Sequence, residues 1–452
     1  MMTTILGAGL AGLSCSHFLG HQNCVIFERN GYVGGHIATH YRDGCYWDEG
    51  PHVSFTKHSE VRELLTWSSS SSVLEYPTVV GNSYRGHWIP HPAQSNLGCV
   101  PEPLASACLH DFLSSRSDES TRDEQPPNHY GEWLDRAFGK TFAHTFSTAY
   151  TEKYWTCNPD QLTVDWVGER VFYPDVETVK QGFYGKIDRN THYITSVRYP
   201  KTGGYSSFAH GIGQGSNVRL GAEIVGIDLK EQVIRLRDNS IHRYECLINT
   251  LPLDKFVFLS SRTSDSIRES ANELSCSELL LVNIRAKGPA LQPHHWLYVY
   301  DRDLYSTRIN QTHLLSPDNT PAGSIGIQVE VYASRYRPFP DSHENIAKKV
   351  VTEVLEMGLA AEIESMHTQH VPYANVIFDH PRREHQERIL DWLSGYGLER
   401  ENGDLEPMTD WQSASSLSLA KINLAGRFGQ WKYYWTDDCI LRAMQLAGQG
   451  ND

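Results

Sequence analysis

The sequence predicts an α/β protein in which a doubly wound parallel-sheet domain is interleaved with a mainly helical domain and an antiparallel β-sheet domain. Three observations carry this expectation. The chain opens as strand, glycine turn, helix and strand, the order of a βαβ unit. A long middle stretch has helical period and many aromatic rings. From about Thr191 the texture changes to alternating apolar and polar residues, the period of half-buried strands.

Length and composition set the frame for these elements. At 452 residues, 40% of them hydrophobic and 21% charged, the chain reads as a globular protein of more than one domain. Lys plus Arg number 40 against 54 Asp plus Glu, and the resulting net charge of -14 argues against a general affinity for nucleic acid or anionic membrane. No apolar run is long enough to span a bilayer, so no membrane insertion is expected. The opening "MMTTILGAGLAGL" lacks a basic region and cleavage site, so export is not expected. Nine scattered cysteines with no C-x-x-C pair suggest reduced thiols rather than disulfides or a metal site. The expectation is a cytoplasmic, enzyme-sized protein without a metal.

In chain order, the opening unit is a strand Thr3–Leu6, a helix Leu10–Leu19 and a strand Cys24–Glu28. "SEVRELLTWSS" reads as a helix cut by the serine run Ser68–Ser72. Residues 99–129 turn to Ser, Asp, Glu and Pro and are expected to form a mobile surface insertion. "YGEWLDRAFGKTFAHTFSTAYTEKYW" follows as aromatic-rich helices. "NVRLGAEIVGIDLKEQVIRLRDNSIHRYECLINTLP" reads as a β-meander whose last strand, Cys246–Asn249, returns to the central sheet. "SELLLVNIRAKG", "HHWLYVYDR" and "GSIGIQVEVYA" read as strands of a second sheet, and "ENIAKKVVTEVLEMGL" as an amphipathic helix. The expected domains are 1–75 with 191–255 and 415–452, a mainly helical 76–190, and a β-sheet unit 256–414.

The first glycine turn carries chemistry. "ILGAGLAGL" sets Gly7, Gly9 and Gly12 in G-x-G-x-x-G spacing between strand and helix. These permit a tight turn, close approach of a pyrophosphate, and close helix packing, with the phosphates on the helix N-terminus. Glu28, 21 residues after Gly7, stands where an acid binds ribose hydroxyls. Gly34 and Gly35 in "ERNGYVGGHIAT", with "INLAGRFG" near the C-terminus, resemble the extended FAD fingerprint of glutathione-reductase and amine-oxidase type flavoproteins. The predicted domain is therefore a Rossmann-like FAD-binding one.

A narrower resemblance runs through "DEGPHVSFT", "YTEKYW", "DWVGERV", "YPKTGGYSSF", "YSTRI", "PYANV" and "GRFGQWKYYWTDD", in that order. It is to UDP-galactopyranose mutase and related FAD-dependent sugar-nucleotide mutases. The resemblance implies that Tyr150 and Trp155 flank a uracil ring, that Arg170 and Arg308 bind the pyrophosphate, and that Arg170 rides on a closing loop. It implies further that Arg427 lies near the isoalloxazine, Tyr433 near the phosphates and His52 by the flavin's reactive face. Tyr373 and Tyr434 would be hydroxyl donors in the pocket, and Arg29, His36, Ile224 and Gly426 would complete the FAD set. The implied reaction interconverts the pyranose and furanose forms of a UDP-sugar. Reduced flavin is the nucleophile, there is no net redox, and NAD(P)H or another reductant supplies the electrons. A homo-oligomer is possible.

Read without the resemblance, Tyr150 and Trp155 could be core aromatics, the arginines surface ion pairs, and His52 structural. The chain also departs from the family. Phe55 replaces a second histidine, Trp88 and the prolines of "HWIPHP" replace a segment with a polar uracil contact, and Trp435 replaces an acid, followed by Asp437 and Asp438. These changes surround the pocket. They keep open an oxidase or desaturase of the amine-oxidase type, and a silent flavoprotein that binds nucleotide-sugars.

Overall fold

A computed structural model describes residues 2–117, 125–185, 194–288 and 293–448. Its first sheet is five-stranded, in the order Ile422–Leu424, Cys246–Asn249, Thr3–Leu6, Cys24–Phe27, Val218–Arg219, and every pairing is parallel. Thr3–Leu6, Cys24–Phe27 and Cys246–Asn249 are buried at every position. That is why they show no apolar–polar alternation: helices cover one face, and the antiparallel strands Ile224–Asp228, Val233–Leu236 and Ile241–Arg243 pack on the other, with the His242 ring 4.9 Å from Phe27. Helix Leu10–Leu19 packs against helix Thr436–Leu446. Gly12 makes the first of these helices fit, because a Cβ there would lie 2.1 Å from the Gly7 carbonyl oxygen.

The second sheet has seven strands, ordered Glu362–Val376, Cys276–Lys287, Ile325–Ala333, Arg308–Gln311, Trp296–Val299, Val80–Tyr84, His87–Pro90. All its pairings are antiparallel except Val80–Tyr84 beside Trp296–Val299. The last two strands fall at the start of 76–190, the segment expected to be mainly helical, and join it to the larger sheet. They are short and contribute a buried Asn82 and Ser83, so local pattern gave no warning that they extend a distant sheet.

The 99–129 expectation is corrected. Leu104–Ser117 is a helix, and Ala105, Cys108 and Phe112 of it enter the main hydrophobic core. The apolar residues sit three and four apart, a helical stripe that the polar composition masked. Residues 118–124 lie outside the described residues.

"YTEKYW" ends a helical run from Lys140, through a π-type turn Ala143–Ser147, into Thr148–Tyr154. Among the described residues no helix is long and apolar enough to cross a membrane, and no group of three His, Cys, Asp or Glu side chains could hold a metal ion.

Candidate functional site

A cavity of about 1700 Å³ is walled by both sheets and the helical segment. Gly7, Gly9, Glu28, Thr250 and Gly426 line it where the parallel strands end, the edge at which open α/β sheets take ligands. Of the candidate cofactor, substrate and catalytic residues named from sequence, all but Gly12 line this cavity.

The two glycine turns pack backbone to backbone. Gly9 bridges Gly34, and a Cβ on Gly35 would come within 3.0 Å of the Gly9 Cα. Gly7, at φ +96°, leaves no room for a side chain, since a Cβ would meet Thr250 Oγ1 at 2.5 Å. Helix Leu10–Leu19 starts at Gly9 with no side chain capping it, so its first N–H groups are left for a ligand. Glu28 lies just past the second strand, its two carboxylate oxygens accepting from the Ala8 and Asn30 amides, each at 2.9 Å. Arg29 and Ile224 line the same end, and Gly426 brings its turn against Ala11.

Burial pushes the His36 imidazole below its ordinary value and the His52 imidazole down to about 4. The neutral His52 ring donates from Nδ1 to the Gly50 carbonyl at 2.9 Å, which leaves Nε2 an acceptor.

Tyr433 is the hub of the far end. Trp155, Trp166 and Phe378 surround its ring at 5.6, 6.0 and 5.6 Å. The guanidiniums of Arg170 and Arg427 lie 4.3 and 5.7 Å from it. Arg170 donates from Nη2 to the Tyr433 carbonyl at 2.6 Å, so here it points inward. Arg427 donates to Asn375. Arg308 holds the buried Glu330 carboxylate with Nε and, at 2.9 Å, Nη2. Tyr150 stacks on Tyr154 at 5.6 Å and meets Tyr298 edge-on at 5.2 Å. Trp155, only 4% exposed, is at once cavity wall and core.

Two hydroxyls differ from expectation. Tyr434 is 2% exposed, and its hydroxyl pairs with Thr409 at 3.1 Å within the core, so it is no donor aimed into the pocket. Tyr373 lines the cavity but donates to Asp254 at 2.7 Å. Two of the departures in sequence meet in space, while Trp88 packs against the core of the larger sheet: Phe55 meets Trp435 edge-on at 4.9 Å, and Arg170 lies over the Trp435 ring at 3.9 Å.

Sequence reasoning missed Glu330, Tyr154, Tyr298 and Tyr332. Glu330 had a signal, an acid inside the mostly apolar strand "IGIQVEVYA". Tyr332 donates to the same carboxylate at 2.9 Å.

The fold and the glycine cradle define a dinucleotide-binding α/β protein whose cradle opens into the rest of one cavity. The chain belongs to the flavin containing amine oxidoreductase family, whose model matches residues 10–386. A crystal structure of reduced UDP-galactopyranose mutase superposes with a TM-score of 0.86 at 23% identity, covering 98% of this chain and 92% of that one. The 15-cis-phytoene desaturase of Synechococcus elongatus is 33% identical over 109 residues, 21% of this chain and 23% of that protein. Protoporphyrinogen oxidase 2, chloroplastic/mitochondrial, of Arabidopsis thaliana is 23% identical over 189 residues, 40% of this chain and 36% of that protein. The chain thus matches well under half the length of these curated relatives. It is a flavoprotein of the amine-oxidase class with the fold of the mutase. The glycine cradle, the uncapped helix start and Glu28 fit the phosphates and ribose of FAD.

Proposed function

We propose that the protein is an FAD-dependent mutase interconverting pyranose and furanose forms of a UDP-sugar. One observation carries the reading: a ring-lined shelf and the guanidiniums of Arg170, Arg308 and Arg427 share one chamber that continues into the dinucleotide cradle. An aromatic wall suits a uracil, and arginine forks suit a pyrophosphate. Bound in reduced form, the flavin supplies the nucleophile for the anomeric carbon. Tyr150 and Trp155 hold the base. Arg170 and Arg308 orient the diphosphate and stabilise charge as UDP departs. His52 presents a neutral acceptor nitrogen to the cavity in which the flavin would be held.

A second reading, an oxidase or desaturase, rests on the curated relatives and on the apolar Phe55–Trp435 pair. Cytoplasmic location, NAD(P)H as one source of electrons, homo-oligomerisation and the domain division by sequence segment belong to the same proposal. The test incubates the dithionite-reduced and the oxidised protein with UDP-galactopyranose under argon. Furanose product from the reduced form alone is expected, and no product from either form would overturn the reading.

A further inference from the structure

Three rings and two charges share the six residues of "YTEKYW". The rings are accounted for by the chamber: Tyr150, Tyr154 and Trp155 line it. The charges point elsewhere. Lys153 is 2% exposed, and its ammonium donates to the carbonyls of Val299, Asp301 and Ser306 at 3.2, 2.8 and 2.6 Å. Glu152 pairs with Arg302 on the same segment. Burying an ammonium against backbone carbonyls, with no carboxylate among the described residues bonded to it, is costly unless the arrangement orders something.

What it orders is the 300–307 loop between strands Trp296–Val299 and Arg308–Gln311. The amides of that loop are held as firmly as its carbonyls. The buried Glu353 carboxylate, on helix His343–Glu356, accepts from Tyr305 N at 2.9 Å, Ser306 N at 3.0 Å and Ser306 Oγ at 2.6 Å. Ser306 is gripped by both charges, and Arg308 follows two residues on.

We propose that Lys153 is a positioning residue for Arg308: its ammonium and the Glu353 carboxylate together fix the 300–307 loop and so set how Arg308 meets an anionic ligand. The inference rests on the UDP-sugar reading only in naming that ligand. It also makes "YTEKYW" a joint, whose rings face the nucleotide while its charges hold the strand that carries the pyrophosphate arginine. Burial pushes the ammonium down to about 7, and Glu353, Asp301 and Asp303 pull it upward while Arg337 adds to the downward push.

The test is a double-mutant cycle on the oxidised holoenzyme, with UDP as probe and calorimetry as readout. Lys153→Met is expected to weaken UDP roughly tenfold at unchanged flavin content, and in the Arg308→Ala background to add less than about twofold. Wild-type affinity in Lys153→Met, or losses that simply multiply, would overturn the proposal. Should Lys153→Met not yield soluble holoenzyme, Glu353→Gln is put through the same cycle, where the same results support or overturn the clamp. If the wild type binds no UDP, the mutase reading falls, and the clamp is judged by amide hydrogen exchange. Faster exchange confined to residues 300–308 in the variant then supports it, and unchanged exchange there overturns it.

Discussion

Arg308 is committed before any ligand arrives: its Nε edge is taken up by Glu330, a carboxylate buried in the sheet. This splits the two substitutions that test it. Arg308→Ala leaves the buried Glu330 without its counter-charge and only the Tyr332 hydroxyl still bonded to it, which costs roughly 3–5 kcal/mol of stability, so its lost turnover mixes folding with function. Arg308→Lys keeps the charge but replaces the planar fork with a point charge. It is expected to stay folded and flavin-loaded while turnover of UDP-galactopyranose falls by about two orders of magnitude, the scale of one preorganised contact to developing charge. Steady-state rates of the reduced wild type and Arg308→Lys decide it, and equal rates would sink the assignment of Arg308 to the leaving group. At this scale the sequence was informative where a motif named the residue and silent where a partner came from a distant strand. "YSTRI" marks Arg308, whereas Glu330 lies 22 residues on and meets it only through sheet register.

Single elements explain why neighbouring glycines are not equivalent. A Cβ on Gly9 would make only ordinary contacts, 3.8 Å to Gly34 O and Gly35 Cα, whereas one on Gly12 would overlap the Gly7 carbonyl oxygen at 2.1 Å. Gly9→Val is therefore expected to fold but purify without FAD, because the side chain fills the place of the pyrophosphate. Gly12→Val should lose the fold itself. Circular dichroism and flavin released on denaturation separate the two, and a yellow Gly9→Val protein would contradict the cradle. The helix Thr148–Tyr154 makes a second prediction through Lys153. Its ammonium falls from 10.5 to about 7 in the folded state, so the unfolded chain binds the extra proton between these values. Stability contributed by Lys153 is complete above the upper value and lost as pH falls through the lower one. Denaturant titrations from pH 7 to pH 9 should show the wild type gaining on the order of 2 kcal/mol relative to Lys153→Met; a constant difference would mean the lysine does not titrate there. The elements that sequence misjudged fail for physical reasons. Leu104–Ser117 hides a core stripe under polar residues. Val80–Tyr84 owes its state to pairing with a strand more than two hundred residues away, and His87–Pro90 pairs with Val80–Tyr84 in turn at the sheet's edge.

Across the whole molecule, the parallel sheet was legible because three of its strands carry their own signal: Thr3–Leu6 and Ile422–Leu424 run into glycine turns, and Cys24–Phe27 runs into an acid. The larger sheet was legible as strands but not as seven in one layer, since its order depends on long-range pairing. The chamber between them decides the class of reaction, and electron bookkeeping reads that out for the molecule as a unit. A mutase returns to its starting redox state after each cycle, because nothing in converting a pyranose to a furanose gains or loses electrons. An oxidase or desaturase takes an electron pair from every substrate molecule and must pass it on. The holoenzyme, reduced once with a stoichiometric amount of dithionite under argon and given excess UDP-galactopyranose, should therefore form on the order of 100 or more furanose molecules per flavin, at turnover of about 1–10 per second for minutes. The flavin absorbance near its oxidised maximum should stay bleached throughout, and admitting oxygen should stop product formation rather than sustain it. One product per electron pair, or oxygen consumed in step with substrate, would instead place the protein with the desaturases and oxidases to which parts of its chain are similar.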